Sequence, residues 1–175
     1  MEYDLIIIGS GPAGYVAAIR AGQVGLKTAI VEKSKIGGMC LNWGCIPTKV
    51  LLESAKKLSA VKGAADFGID GIDLTKLSFN WKTVLKRSER IVRRLTKDVE
   101  FLLKKNGIDI IQGEAEIISG NSVSVKNRLI ETKNIIIATG SMPVHPGPGI
   151  PGDKIIEIKD LLNVDELPQK PCVLG

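Results

Sequence analysis

Cysteine is scarce in this sequence, with three in 175 residues. Three thiols cannot build the paired framework of a small secreted domain, and in a reducing compartment two close thiols are more often catalytic than structural. Histidine is scarcer, His145 being the only one. A structural zinc site prefers ligand pairs two to four residues apart with a second pair nearby; Cys172 and His145 do not supply that pair, so no metal is expected. Long apolar runs are missing too. The longest are about five or six residues, against the roughly 20 of a membrane-spanning helix, and the first nine residues lack the charged and apolar regions of a signal peptide. The expectation is a soluble, cytoplasmic protein with no membrane partner. Aromatic residues make up only 4% of the chain.

What is present is ample apolar material, 44% of the residues, enough for a packed core of one domain. The net charge of +5 is carried largely by one segment, in which Lys82, Lys86, Arg87, Arg90, Arg93, Arg94, Lys97, Lys104 and Lys105 outnumber Glu89, Asp98 and Glu100. Ile91, Val92, Leu95, Val99, Leu102 and Leu103 recur there at three- and four-residue steps, which predicts an amphipathic helix with the charges outward. No aromatics interleave with the basic residues to stack bases, which argues against a nucleic-acid partner. Ser78 or Asn80 can cap this helix and Asn106-Gly107 can end it. At about 1.5 Å per residue it would reach on the order of 35–40 Å.

The first strong motif lies near the start of the chain. Residues 3–8 form an apolar run of the kind that makes a strand buried on both faces, leading into Gly9-Ser-Gly-Pro-Ala-Gly14. Gly9 permits a tight turn, Gly11 lets a pyrophosphate approach the backbone, and Gly14 lets a helix pack close to the strand, with the anion at the helix N-terminus. A helix over 12–21, with Val16 and Ile19 inward, and a second strand over 27–31 should follow. Glu32 comes directly after, where a carboxylate can accept hydrogen bonds from ribose hydroxyls. An acid there disfavours a 2′-phosphate and leaves FAD or NAD.

The second motif is Gly37-Gly-Met-Cys-Leu-Asn-Trp-Gly-Cys-Ile-Pro-Thr-Lys49. Residues five apart in a regular helix lie on different faces, with Cα atoms beyond the roughly 4.4–6.8 Å of a disulfide. If Cys40 and Cys45 are bonded, the backbone between them is distorted, and Gly44 is the residue that permits it. Pro47 fits the first turn of a following helix, whose N-terminus would favour a thiolate after reduction.

This pattern resembles the redox-active segment of the class I flavin disulfide oxidoreductases, the family of dihydrolipoamide dehydrogenase, glutathione reductase and mercuric reductase. Within it, Cys-Leu-Asn-x-Gly-Cys-Ile-Pro-x-Lys is most similar to dihydrolipoamide dehydrogenase; relatives acting on glutathione or mercury usually carry valines in place of Leu41 and Ile46. Met39 departs from the threonine common there. The resemblance implies that FAD occupies the glycine site, held by Gly9, Gly11, Pro12, Ala13, Gly14, Glu32 and Lys33. It also implies that Gly38, Met39 and Cys40 lie against the flavin, and that Lys49 stands near the ring, where an ammonium would also favour a thiolate at Cys45. Cys40 and Cys45 are implied as the catalytic disulfide, Cys40 exchanging with dihydrolipoamide and Cys45 passing electrons to the flavin. NAD would be the acceptor in the full-length protein, which is expected to be a homodimer serving the lipoyl domain of a 2-oxoacid dehydrogenase or glycine cleavage complex.

The remaining segments suit an α/β, doubly wound (Rossmann-type) FAD-binding domain with a parallel sheet, a long inserted helix and a small antiparallel meander. Residues 51–62 should continue the helix entered at Pro47, with Leu52, Ala55 and Leu58 at suitable spacing, and 63–73 should form a loop. Residues 108–112 read as a strand, and Gly113-Glu-Ala115 matches the segment that in the family touches the adenine end of FAD, through Ala115. Strands over 117–119, 122–126 and 128–132 should turn at Gly120-Asn121 and Lys126-Asn127. A separate buried strand, 134–137, should end in Ala138-Thr139-Gly140-Ser141, similar to the family's second FAD contact. The resemblance divides the chain into an FAD-binding domain, 1–145, and a connection with the first strand of an NAD-binding domain, 146–175. His145 lies in the connecting loop, away from the family's C-terminal catalytic base, and Cys172 is expected in a buried strand.

Overall fold

A computed structural model describes residues 2–143 and 155–173. His145 and the loop around Ile150-Pro-Gly152 lie outside the described residues. The chain divides into two compact units: Met1–Asn42 with Arg93–Met142, and Trp43–Val92 with Pro143–Gly175.

The first unit is built on a mixed sheet. Strands β1 (Tyr3–Ile8), β2 (Thr28–Glu32), β3 (Asp109–Gln112), β4 (Ala115–Ser119), β5 (Ser122–Val125) and β6 (Arg128–Ile137) stand in the order β3-β2-β1-β6-β5-β4. The pairs β1/β2, β2/β3 and β1/β6 are parallel, while β4/β5 and β5/β6 are antiparallel. The period of two sorts the side chains: Ile6, Ile8, Ala29 and Val31 pack with Val123, Val125 and Ile130 of the meander in one core cluster. Ile6, Ile7 and Ile30 are fully buried, each worth about 1.5–3 kcal/mol of transfer free energy. Helix α1 (Pro12–Gln23) packs on β1 and β2. Its inner face is Gly14, Ala18 and Ala21, not Val16, which is exposed. The close approach set by the glycines leaves room for small residues only.

The last strand of the meander and the strand after it are one strand, not two. β6 pairs antiparallel with β5 through Arg128–Glu131 and parallel with β1 from Thr132 to Ile137. Lys126 and Asn127, with φ of 52° and 64°, make the left-handed turn that a two-residue hairpin needs. The expected burial of 134–137 is not seen: Ile136 and Ile137 are exposed, because none of the described residues covers their side chains.

The second unit contains α3 (Cys45–Lys62), two short 3-10 turns (Ala64–Phe67 and Leu74–Lys76), the first half of α4 (Trp81–Lys105) and α5 (Ile158–Leu161). Helix α3 starts at Cys45, two residues before Pro47, which was expected in its first turn, and buries Pro47 and Val50 with Leu58 half-buried, while Leu52 and Ala55 are exposed. A cleft of about 470 Å³ separates α3 from the segment entering α4, lined by Leu58, Val61, Leu77, Phe79 and Val84. Trp81 donates its Nε1–H to the Val164 carbonyl at 2.9 Å.

Helix α4 follows the reading of its ends. The Thr83 amide donates to Asn80 Oδ1 at 2.9 Å, and Gly107, at φ 71°, takes the Lys104 carbonyl after the last turn. Its inward side is Ser88, Val99 and Leu103, but Leu102 is exposed. No helix of the described residues is long and apolar enough to cross a membrane. Residues 171–173 form no strand and Cys172 is exposed, since a strand needs a ladder partner and 171–173 pair with no described strand.

Candidate functional site

Three parallel strands end side by side at one edge of the sheet, and the predicted cofactor residues of the first unit gather there. The Gly9 amide donates to the Val31 carbonyl and the Ala138 amide to the Ile8 carbonyl, both at 2.8 Å, so the tips of β1, β2 and β6 are tied together. Gly9 has φ 99°, and a Cβ on it would stand 2.3 Å from the Ala138 carbonyl oxygen. A Cβ on Gly14 would stand 1.8 Å from the Gly9 carbonyl oxygen. These two glycines are required by the protein's own packing. Gly11 differs, because a Cβ there meets nothing within 4 Å. It opens the N-terminus of α1, which has no side-chain cap and carries Pro12 in its first turn. Bare amides of Ala13 and Gly14 beside open space make an anion cradle.

Glu32 closes the same edge. Its carboxylate is buried and accepts three hydrogen bonds: from the Ser10 amide at 2.9 Å and the Ser10 hydroxyl at 2.6 Å on Oε2, and from the Ser34 amide at 2.7 Å on Oε1. The Gly113 amide donates to the Glu32 carbonyl at 2.9 Å, which brings Gly113-Glu-Ala115 to the tip of β2. Lys33 is exposed and pairs with Glu114 at 3.1 Å; a pair this exposed is worth under about 1 kcal/mol. Thr139, Gly140 and Ser141 follow β6 as exposed backbone, with Gly140 at φ 73°.

The cysteine segment begins on this edge. The Gly37 amide donates to the Ser10 carbonyl at 3.0 Å, and a Cβ on Gly38 would stand 2.7 Å from the Gly11 Cα. From there the short helix α2 (Gly38–Asn42) carries Met39 and Cys40. Asn42 pins the turn, its side-chain amide donating to the Ile36 and Gly38 carbonyls at 3.0 and 2.9 Å. The helical run then breaks: Gly44, at φ −119° and ψ −109°, is neither helical nor extended. Cys40 and Cys45 are both disulfide-bonded, and Cys172 is the free cysteine of the described residues. Cys45 opens α3, and the Thr48 amide donates to the Gly44 carbonyl at 3.1 Å. Lys49 is exposed on α3, one turn after Cys45.

A family model described as pyridine nucleotide-disulphide oxidoreductase matches residues 3–175. The chain belongs to that family. Among curated relatives it is 46% identical to a dihydrolipoyl dehydrogenase of Acholeplasma laidlawii, over 99% of this chain and 53% of the relative. It is 43% identical to those of Chlorobaculum tepidum and Mycoplasma genitalium, covering 38% and 39% of their lengths and 99% and 100% of its own. The chain therefore spans about half or less of the relatives it matches. A solved structure with TM-score 0.75 and 31% identity is the copper(II) complex of the HOCl-induced flavoprotein disulfide reductase RclA from Escherichia coli, matched over 94% of this chain and 34% of that one.

Membership of the pyridine nucleotide-disulphide oxidoreductase family implies a flavin, FAD. The residues present fit it: an open cradle at Gly11, an uncapped helix N-terminus and a buried carboxylate on the neighbouring strand are what a dinucleotide's pyrophosphate and ribose require. Among the described residues no cluster of histidine, cysteine, aspartate or glutamate could hold a metal ion. Sequence reasoning passed over Ser10, Asn42 and Gly37. The signal for Ser10 was its place between the two glycines, where a small hydroxyl can reach the acid that ends the next strand.

Proposed function

We propose that this chain is the FAD-binding, dithiol-bearing portion of a dihydrolipoamide dehydrogenase, in which electrons pass from dihydrolipoamide through Cys40 and Cys45 to FAD and then to NAD⁺. The observation that carries the reading is the Cys40–Cys45 disulfide on a turn whose first residues pack against the phosphate-binding glycine loop. Forty-six per cent identity to a dihydrolipoyl dehydrogenase over nearly the whole chain supports the choice of substrate.

FAD, when bound, supplies a two-electron acceptor beside the cysteine pair. The protein's own residues do the rest. Ala13 and Gly14 amides with Gly11 hold the pyrophosphate, Glu32 the ribose, and Ala115 and Ala138 to Ser141 the remaining length of the cofactor. A thiolate of the incoming dithiol attacks the sulfur of Cys40, the Cys40–Cys45 bond breaks, and Cys45 leaves as a thiolate. The second substrate thiol, losing its proton, closes a cyclic disulfide and releases Cys40, so the substrate gives up two electrons and two protons to leave a reduced pair. Cys45 suits the leaving role because it opens an 18-residue helix, and a helix N-terminus lowers a thiol's pKa and speeds its departure. Lys49, one turn on, adds positive charge. The acceptor NAD⁺, the homodimer and the lipoyl-domain partner belong to the full-length protein in this reading.

The test is an assay of the purified full-length protein with dihydrolipoamide and NAD⁺, beside glutathione disulfide and mercuric ion with reduced nicotinamide cofactors. Preference for dihydrolipoamide by about a hundredfold or more in kcat/KM, some 2.7 kcal/mol of transition-state discrimination, is expected. A preference for either of the others would replace the substrate assignment.

A further inference from the structure

We infer that the loop after α3 is a contact between two copies of this chain: resting on the reading above for the homodimer, each copy seats residues 63–76 in the cleft beside α3 of the other. Loop and cleft both belong to the second unit, and the loop runs from the end of α3, one wall of the cleft, to Leu77 in the other wall. The loop has a fixed shape of its own. The Gly68 and Ile69 amides donate to the Ala65 and Ala64 carbonyls at 3.0 and 3.1 Å, Gly68 and Gly71 turn the backbone at φ 73° and 87°, and Asp73 Oδ1 accepts from the Thr75 amide at 3.0 Å. Held in that shape it turns apolar side chains outward. Phe67 is 84% exposed, and Ile69, Ile72 and Leu74 are between 40% and 56% exposed.

The second observation is that loop and cleft are complementary in charge as well as in shape. Residues 63–76 carry Asp66, Asp70 and Asp73 against Lys76, a net of −2. The cleft has apolar walls, and its charged residues are Lys57 and Arg87 against Glu53, a net of +1. Glu53 is paired with Lys57 at 3.3 Å, which leaves Arg87 in excess. A surface with an acidic, apolar projection beside a basic, apolar recess fits a copy of itself. A two-fold axis next to the two features sets each loop in the other copy's recess and closes the pair.

The area agrees with that occupant. Phe67, Ile69, Ile72 and Leu74, with Phe79 in the cleft wall, leave on the order of 500 Å² of apolar side chain exposed per copy, at roughly 200 Å² for each when fully bare. An ordinary interface buries about 800 Å² per partner, of which about 56–65% is apolar, so one such contact covers the whole set. A soluble monomer rarely leaves this much apolar surface together, and a loop already shaped before association gives up little conformational freedom on docking.

The experiment uses the full-length FAD-loaded protein and two charge-reversed forms of it, Asp66→Lys/Asp70→Lys in the loop and Lys57→Glu/Arg87→Glu in the cleft. Sedimentation velocity from about 10 nM to about 10 μM gives the dimer dissociation constant, and flavin content reports folding. Alone, each reversed form sets like charge against like at both contacts, so its dimer should weaken about tenfold or more. In an equal mixture the reversed loop meets the reversed cleft and the native loop meets the native cleft, so the mixed dimer should form within about threefold of the parent's affinity. The neutral forms, Asp66→Asn/Asp70→Asn and Lys57→Gln/Arg87→Gln, should fall between, and they carry the test if a reversed form loses its flavin. A parent that stays monomeric over this range, reversed forms that dimerise like the parent, or a mixture that recovers nothing would each overturn the contact and assign the loop to the rest of its own chain or to a different protein. Recovery in the mixture by a protein that never oxidises dihydrolipoamide would sink the functional reading and leave the contact standing. Oxidation of dihydrolipoamide by a parent whose dimer ignores both reversals would do the opposite.

Discussion

Gly38 and Gly11 meet backbone to backbone, so closely that a Cβ on Gly38 would stand 2.7 Å from the Gly11 Cα. The turn that starts towards Cys40 and the glycine loop proposed to hold the pyrophosphate are thereby one piece of structure. Gly38 also has φ 60°, so Gly38→Ala combines left-handed strain with a clash against main chain. It should cost about 1–3 kcal/mol of stability and weaken FAD retention, read by thermal unfolding and by flavin content after gel filtration.

Gly11→Ala should behave in the opposite way. Its Cβ meets no protein atom within 4 Å and its φ of −65° is ordinary, so folding should survive within about 1 kcal/mol. FAD should be lost, because the methyl occupies the cradle. A variant that folds and still binds FAD as tightly as the parent would show that the pyrophosphate lies elsewhere. Gly14→Ala, meeting the Gly9 carbonyl at 1.8 Å, should instead fail to fold.

Ser10→Ala removes the hydroxyl that donates to Glu32 at 2.6 Å. A buried carboxylate losing one such bond costs about 1–3 kcal/mol, and the freed carboxylate should hold a ribose less well. Denaturant unfolding and FAD titration of the same preparation should both move; a shift in neither would mean Ser10 is a bystander.

Cys40→Ser and Cys45→Ser should separate the two thiols. In the full-length reduced protein, the long-wavelength charge-transfer band of a thiolate beside oxidised flavin should persist in Cys40→Ser and vanish in Cys45→Ser, since Cys45 has the helix N-terminus and Lys49 behind it. The reverse result would exchange their roles.

Tyr3 gives a pH prediction. Burial, together with its hydrogen bond to Asp109 Oδ2 at 2.9 Å, pushes its phenol up to about 12 from 10.0. The folded value is raised, so the contribution is fully present below pH 10 and is lost as pH rises through 12, amounting to about 2–3 kcal/mol at most. Tyr3→Phe should flatten the stability profile in that window, measured by denaturant unfolding from about pH 9 to 12.

Much of the first unit was legible in the sequence because its signals are local. Strand, glycines, helix, strand and acid occur in order within 32 residues, and the caps of α4 at Asn80 and Gly107 are set by one or two side chains. The misreadings have a common origin in contacts between distant segments. Val16 and Leu52 fit an apolar periodicity, yet the buried faces fell on Gly14, Ala18 and Ala21 in α1, where backbones approach too closely for larger groups, and on Pro47 and Val50 in the first two turns of α3. The join of two expected strands into β6 was hidden because Lys133 and Asn134 look like a turn. Pairing with β1 on one side keeps them extended, and the Asn134 side chain donates to the Asp4 carbonyl.

The pairing of Tyr3 with Thr132 and of Ile8 with Ile137 has a consequence for the newborn chain. β1 is made before β6, and this partner on one side is synthesised some 130 residues later. At about 5–20 residues per second, roughly six to 26 seconds pass in which a run of three isoleucines presents an open, apolar strand edge. Such an edge is a template for pairing with other chains, and long-range parallel pairing closes slowly. This protein is therefore most exposed to aggregation while it is being translated, and chaperone cover over that interval should raise its soluble yield more than any gain in the stability of the finished fold.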